Sequence, residues 1–452
     1  MSHCLQEPSK IHEGVFAIVR KVGGEQLRLC RLLSGQRVLI ERLSFDPKNT
    51  IGHFYGMFEV SGGGDTLCPV QYNSIPIVIP HESTNGTRKR RHEDECNQQL
   101  TGNQIMSLKE GGITTDDLVS KLVNGNSSFQ SRTKFSKEKY MRKKAQKHSD
   151  RIIVLKPNIR LLSKCYYRKD PEKLGHLRID QLGLMLQLSG LHSGQCNAFV
   201  FDQVLGLLGA AVLERISSHG HCIFVHRGDW PQSIPCLELF SSNKQKLNGL
   251  LTLRITTLMK SDVGQSRTDS QRNAEGEGMA VEKSTGEEED DKGNKDGEFL
   301  LERREQQLQK RLEREEGERR AMEIIRPIEE DGGKIDSICM AIRTVDPVDI
   351  LQKVYKGLRL SGTVVIYCPV KQHLLNAWKW LKSVGSAVDI QLSQQFFRSH
   401  QVLSNRTHPI MQQHVSGGYV LYAIKVLPPE PHRIHQRTMN KEMLVKHSRV
   451  DQ

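Results

Sequence analysis

The sequence predicts an α/β chain: a small N-terminal β-barrel followed by a larger domain built on a mostly parallel sheet. Three observations carry this. Short apolar segments separated by glycine turns fill residues 11–80. From about residue 150, strand-like runs alternate with helical ones. The 452 residues exceed what one ordinary core organises, so two or three folded units are expected.

The N-terminal segments Val15-Phe16-Ala17-Ile18-Val19, Leu27-Arg28-Leu29-Cys30-Arg31-Leu32 and Val38-Leu39-Ile40 are divided by Gly23-Gly24 and Ser34-Gly35. Strands this short with glycine turns at this spacing suggest a barrel over 11–80, with Gly52, Gly56 and Gly62-Gly63-Gly64 at its tight corners. Residues 81–104 are polar and read as a disordered basic linker, where Arg88-Lys89-Arg90-Arg91 suits a nuclear localisation signal. Residues 105–149 form a helical basic connector, with helices expected over 115–123 and 129–147 and Thr115-Asp116-Asp117 as a cap.

In the larger domain, first part 150–260, the expected strands are Ile152-Ile153-Val154-Leu155, Ala198-Phe199-Val200-Phe201 and Cys222-Ile223-Phe224-Val225, with helices over 182–188 and up to Leu213. The second part, 326–428, supplies Ile338-Cys339-Met340-Ala341-Ile342, Thr363-Val364-Val365-Ile366-Tyr367, Val388-Asp389-Ile390 and Tyr419-Val420-Leu421-Tyr422-Ala423-Ile424, with helices over 348–358 and 373–384. This alternation implies a Rossmann-like parallel sheet covered on both faces, with an added antiparallel strand at its edge. Between the parts lies an acidic and charged insert, 261–325. Glu287-Glu288-Glu289-Asp290-Asp291 marks its first half, and residues 299–322 read as a solvated surface helix whose Leu301, Leu308 and Leu312 give only a weak coiled-coil stripe. Residues 429–452 are expected to be a flexible tail.

Charge narrows the function. The formal net charge is +13. From Arg132 to Arg178 there are sixteen Lys and Arg against four acids, so +12 of that excess lies in one stretch. Such concentration favours a polyanion. Lys139-Tyr140-Met141-Arg142-Lys143-Lys144-Ala145-Gln146-Lys147-His148 places cations on most sides of a helix, and phosphates neutralised there would make affinity salt-dependent. Tyr140, Tyr166 and Tyr167 are interleaved and suit stacking on unpaired bases, with core packing equally open for the last two. No run reaches the length of apolar chain that spans a bilayer, and no leader is visible, so a soluble chain without membrane contact is expected. The ten cysteines include no C-x-x-C pair and the 18 histidines are dispersed, which argues against a metal or disulfide site and for a reducing compartment.

A parallel sheet of this kind commonly holds S-adenosylmethionine or a dinucleotide, which require glycines in the first strand-to-helix turn. Here that turn is Asp202-Gln203-Val204-Leu205-Gly206-Leu207-Leu208-Gly209, with two glycines among branched apolar residues. The ribose-binding acid expected after the second strand is replaced by His226 and Arg227, with Asp229 one turn late. After the fourth strand, Arg343-Thr344-Val345-Asp346-Pro347 reads as a helix cap rather than a reactive loop. No catalytic residue, cofactor ligand or metal ligand is assigned.

Several segments together carry a resemblance: Asn49-Thr50-Ile51-Gly52-His53-Phe54-Tyr55-Gly56, Tyr166-Tyr167-Arg168-Lys169-Asp170-Pro171-Glu172-Lys173, Leu177-Arg178-Ile179-Asp180-Gln181-Leu182, Val365-Ile366-Tyr367-Cys368-Pro369, Arg406-Thr407-His408-Pro409 and Ser416-Gly417-Gly418-Tyr419. They resemble the non-catalytic subunits of the eukaryotic tRNA (adenine-N1)-methyltransferase, which forms 1-methyladenosine in the T loop. The resemblance covers nearly the whole chain except the linker and the insert. It implies an N-terminal β-barrel and a class I methyltransferase-type domain with a degenerate cofactor site. It implies a catalytic partner subunit that carries S-adenosylmethionine, and a heterotetramer of two plus two. The tRNA contacts it implies are Lys139, Tyr140, Arg142, Lys143, Lys144, Lys147, His148, Lys169, Lys173, His176, Arg343, Arg398, Arg406 and His408. Ala145 and Gln146 interrupt the lysine run of that pattern. Two other readings stay open: a catalytically active RNA methyltransferase with an atypical cofactor loop, and an RNA-binding factor without an enzyme partner.

Overall fold

The computed structural model describes residues 10–70, 99–260 and 294–428, apart from residues 25, 42, 62–63, 112, 114, 149, 217–219, 229–234, 239–247, 329–331, 403–406 and 412–415. The Arg88–Arg91 cluster, the acidic run at 287–291 and the tail 429–452 lie outside the described residues. The chain divides into two units, Met1–Asp170 and Pro171–Gln452.

The first unit is built on a five-stranded antiparallel sheet. Its strands are β1 (Phe16–Lys21), β2 (Leu27–Arg31), β5 (Gly56–Ser61), β6 (Thr66–Val70) and β7 (Arg151–Leu155), in the order β2-β1-β7-β5-β6. A separate hairpin pairs β3 (Val38–Ile40) with β4 (Leu43–Phe45). Phe45, Phe58, Ile152, Val154 and the apolar side chains of β1 and β3 close one core. Gly64 takes a φ of +104° where its backbone meets the Ser44 carbonyl, and a side chain would not fit there. The expected barrel is not what is observed: the sheet is open, ending on β2 and β6. Glycine-separated short strands report turns, whereas closure needs the edge strands to pair.

The second difference concerns Ile152-Ile153-Val154-Leu155. It is not a strand of the larger domain but the central strand of this sheet, pairing antiparallel with β1 (Val19 opposite Val154) and β5 (Met57 opposite Ile153). The unit boundary therefore falls at 170/171 and not at 149/150. An apolar run records burial on both faces and says nothing about its neighbours. Helices α1 (Gly102–Glu110), α2 (Thr115–Asn124), α3 (Lys134–His148) and α4 (Ile159–Lys169) complete the unit.

The second unit holds a seven-stranded sheet. The strands are β8 (Asn197–Asp202), β9 (His221–His226), β10 (Leu250–Arg254), β11 (Ile335–Ala341), β12 (Leu358–Cys368), β13 (Ala387–Phe396) and β16 (Ser416–Lys425), ordered β10-β9-β8-β11-β12-β16-β13. The first five run parallel, and β16 is antiparallel to both of its neighbours. This is a doubly wound Rossmann-like α/β sheet whose order reverses between β8 and β11, where ligands of such folds bind. The antiparallel strand is interior and not at the edge as expected. Its unbroken apolar run Tyr419-Val420-Leu421-Tyr422 reflects pairing on both sides, while the edge strand β13 alternates between half-buried and exposed positions.

The helices are α5 (Ile179–Leu188), α6 (Leu207–Arg215), α7 (Pro235–Glu238), α8 (Ile255–Lys260), α9 (Asn294–Ile325), α10 (Pro347–Val354) and α11 (Lys371–Val384); a short hairpin joins β14 (His400–Gln401) to β15 (His408–Pro409). None of the described helices is long and apolar enough to cross a membrane. Helix α9 is only partly the surface helix expected of the insert. Leu308 and Leu312 face solvent, but Ala321 and Ile325 are fully buried in the sheet's core. Buried Glu318 accepts from Arg254 Nε and Nη2 at 2.7 and 2.9 Å, tying the helix to the end of β10. The last two turns are thus the crossover between β10 and β11, and the uniform charge of the helix concealed its apolar end.

The allegiance of β7 is testable. Ile152→Ala should cost the first unit about 2–5 kcal/mol, the usual penalty for truncating a buried isoleucine. Hydrogen exchange should then show lost protection across β1 and β5 with β8 and β9 unchanged; loss confined to β8 and β9 would return the strand to the parallel sheet.

Candidate nucleic-acid interface

Helix α3 carries the densest charge. Lys139, Lys143 and Lys147 are exposed and follow one another at i, i+4, i+8. That spacing aligns them along one face, about 6 Å apart per step, a pitch comparable to successive phosphates of a strand. Their neighbours are placed differently. Lys144 is half-buried with its ammonium 5.5 Å from the Tyr140 ring centre. The helix position of Arg142 is described, its side chain is not.

Tyr140 does not present a free ring for base stacking. It packs against Phe129 with centroids 5.6 Å apart, and the Arg132 guanidinium lies 4.8 Å over its face. Its hydroxyl accepts from Asn126 Nδ2 at 3.1 Å and donates to the Leu122 carbonyl at 3.4 Å. Tyr140 is the seam between α2 and α3, and a base would have to displace Arg132 to reach it. Tyr166 and Tyr167 are half-buried on α4.

His148 is buried at the end of α3. Burial, and then the positive charges of Lys109, Lys147 and Lys144, hold its imidazole down to about 4 against an opposing pull from Asp150. It is therefore neutral at pH 7 and is not a phosphate-binding cation. Lys109 donates to the His148 carbonyl at 3.0 Å and pairs with Asp150 at 2.6 Å, closing the helix end. Lys169 is exposed at the end of α4.

In the second unit Lys173, His176 and Arg343 come together. The loop at 171–176 folds back on itself: Gly175 N donates to Glu172 O at 2.9 Å and His176 N to Pro171 O at 2.8 Å. Gly175 and His176 take successive left-handed conformations, φ +56° and +59°. Buried Tyr367, at the end of β12, donates its hydroxyl to Gly175 O at 2.7 Å. Arg343 Nη1 donates to Lys173 O at 3.2 Å, and a side chain at 175 would strike its Cγ. Gln203, to which the sequence reading gave no role, positions this arginine: its Oε1 accepts from the backbone N–H of Arg343 at 2.7 Å and of Thr344 at 3.2 Å. Arg398 and His408 are exposed near the β14–β15 hairpin, and Arg406 lies outside the described residues.

The turn after β8 does not fit S-adenosylmethionine. The Asp202 carboxylate accepts four backbone N–H groups, from Val204 at 2.6, Gly206 at 3.0, Leu208 at 2.8 and Gly209 at 3.0 Å. Those are the donors a bound anion would use at a helix N-terminus. Burial pushes the Asp202 carboxyl up, while the same four donors pull it back down. Val204, Leu207 and Leu208 are buried, Leu205 is held exposed at φ +61°, and the Phe224 ring fills the space beside Gly209. At the end of β9 stand buried His226 and exposed Arg227; Asp229 lies outside the described residues. Asp346 caps α10, accepting from Val348 N at 2.9 Å and from Asn376 Nδ2 at 3.0 Å, with Pro347 following. Among the described residues no cluster of His, Cys, Asp or Glu could hold a metal ion.

Comparison with known proteins gives one family match, the model described as the Gcd10p family, over residues 10–291. A Mus musculus protein named "tRNA (adenine(58)-N(1))-methyltransferase non-catalytic subunit TRM6" is 28% identical over 453 residues, 92% of this chain and 88% of that protein. The Dictyostelium discoideum protein of the same description is 27% identical over 93% of this chain and 80% of its own length. Among solved structures, a SAM-dependent O-methyltransferase from Thermotoga maritima overlaps with a TM-score of 0.47 at 10% identity, covering 95% of this chain and all of that one.

Two outcomes follow. Replacing Lys139, Lys143 and Lys147 together with Ala should weaken tRNA binding and lower the slope of log K against log salt by about 2 to 3, one phosphate contact per lysine; a filter-binding series from low to high salt reads it, and an unchanged slope removes the stripe from the interface. For His148, the folded pKa lies below the unfolded value, so the folded state binds fewer protons between pH 6.5 and 4 and stability falls as pH drops through that window. His148→Leu should shrink the loss of stability between pH 7 and pH 5 in urea titrations.

Proposed function

The chain belongs to the Gcd10p family, and from that premise we propose that it is the non-catalytic, tRNA-binding subunit of the tRNA (adenine-N1)-methyltransferase complex that forms 1-methyladenosine in the T loop. The observation that carries the non-catalytic half of this reading is Asp202. A turn that spends four of its backbone N–H groups on its own carboxylate has few left for a cofactor. The reading of an active enzyme with an atypical loop finds no support in that geometry.

The tRNA-binding half is supported by the exposed lysines of α3, by Lys169, and by the braced group of Lys173, His176 and Arg343. Lysine side chains on one helix face grip backbone phosphates without reading bases. Loop 171–176 is different in kind. Its backbone is pinned by Tyr367 and Arg343, so the loop itself loses little entropy on binding. Such a subunit accelerates methyl transfer by holding the substrate, and the S-adenosylmethionine sits on the catalytic partner. A heterotetramer of two plus two and a nuclear location, supported by the Arg88-Lys89-Arg90-Arg91 cluster, complete the proposal.

The purified full chain should bind tRNA with a steep salt dependence and give no calorimetric signal with S-adenosylmethionine. Methylation of tRNA should begin only when the catalytic subunit is added. Cofactor binding or methyl transfer by the chain alone would overturn the reading.

A further inference from the structure

Leu205 is held in a backbone conformation that leucine ordinarily avoids. Among the described residues, five other than glycine are left-handed: Glu41, His176, Leu205, Ser361 and Asp389. Leu205 is the one apolar member, at φ +61°, and Gly206 follows at +74°. A side chain of this bulk strains the backbone there, whereas glycine or asparagine adopts the same φ at little cost. The core receives little in return. Val204, Leu207 and Leu208 are fully buried, but Leu205 is 44% exposed. The N–H groups bound by Asp202 come from Val204, Gly206, Leu208 and Gly209 and pass over Leu205, so the turn closes around it. A strained residue whose side chain is left at the surface points to function rather than packing.

Its position narrows that function. Gly175 and His176 form a second left-handed pair, and Arg343 joins the two. Gln203 Oε1 accepts from Arg343 N at 2.7 Å, and a side chain at Gly175 would strike Arg343 Cγ. Arg343 Nη1 in turn donates to Lys173 O at 3.2 Å. Both strained pairs therefore border the crevice outside β8 and β11, where the strand order reverses. The acids of these three loops are Glu172, Asp202 and Asp346. Asp202 and Asp346 are committed to backbone donors, and Glu172 alone is exposed.

An apolar side chain beside a guanidinium matches a nucleotide, whose base is apolar on both faces and whose phosphate is anionic. We propose that Leu205 is an RNA-contact residue that packs as a wedge on the face of an unpaired base of bound tRNA, with Arg343 at a neighbouring phosphate. This rests on the tRNA-binding function proposed above. Apolar wedges of this kind hold bases apart in other nucleic-acid complexes, and unpaired loop bases are free to be splayed onto them. The four bonds to Asp202 fix the turn beforehand, so little entropy is lost when the wedge is covered.

The full chain carrying Leu205→Gly and, separately, Leu205→Asn tests this against the wild type, with a tRNA transcript as the probe. Both replacements tolerate a left-handed φ, so the thermal unfolding midpoint should hold or rise. The dissociation constant for tRNA should rise about fivefold or more, the effect of uncovering part of one leucine side chain. The slope of log K against log salt should stay as in the wild type, because no phosphate contact is lost. Wild-type tRNA affinity in both variants overturns the assignment. A lowered midpoint in both makes Leu205 a packing residue and overturns it too, as does intact tRNA affinity with weakened binding of the catalytic subunit. A wild-type chain that fails to bind tRNA sinks the functional reading itself, an outcome distinct from variants that bind as the wild type does.

Discussion

At the carboxyl end of β8 one side chain, Asp202, accepts four backbone N–H groups within an eight-residue turn. Much of the second unit's character follows. The first turn of α6 is satisfied internally, so its N-terminus is closed to an external anion. The tight path forces Leu205 and Gly206 into left-handed conformations, and the helix is drawn close enough to β9 that Gly209 meets the Phe224 ring. Gln203, next in the chain, is turned toward the neighbouring strand's exit and fixes the backbone of Arg343. The same turn that binds Asp202 therefore orients a cation at the crevice between β8 and β11, the place where open α/β sheets bind ligands.

The basic stretch illustrates how charge and structure divide the same residues. Sixteen cations between Arg132 and Arg178 look equivalent in a count, yet they do different things. Arg132 and Lys144 cover the ring of Tyr140, Arg151 pairs with Glu59, and Arg178 anchors the end of β13. Those side chains stabilise a fold. Lys139, Lys143 and Lys147 stay in water along one helix face, where a polyanion can reach them. His148 shows the limit of the pattern: it continues the basic run in sequence but is buried among lysines, and the cost of charging it there leaves it neutral.

The apolar hairpin and the charged helix α9 make a complementary pair of cases. In α9 charge is nearly uniform, but its last turns are core, held by Ala321, Ile325 and the Glu318–Arg254 pair. In the hairpin, apolar residues that would ordinarily read as core are left in water. In both, the local pattern misjudges burial, because burial belongs to the partner surface and not to the segment.

What the sequence determined by itself was everything local. Alternating strands and helices of the second unit, the helix cap at Asp346, the crowded turn at 202–209 and the concentration of charge in α3 were legible, because spacing, capping chemistry and charge need no distant residue to be expressed. The tertiary structure alone decided that β7 belongs between β1 and β5, that β16 lies inside the sheet, that the first sheet stays open, and that Tyr140 and His148 face inward. Each of these is a choice of neighbour. An apolar strand pairs equally well by its own chemistry with any edge offered to it, and a tyrosine or histidine in a basic run carries no mark of which way it faces. Only the closing of each core, which removes the greatest apolar area from water at once, selects among those partners.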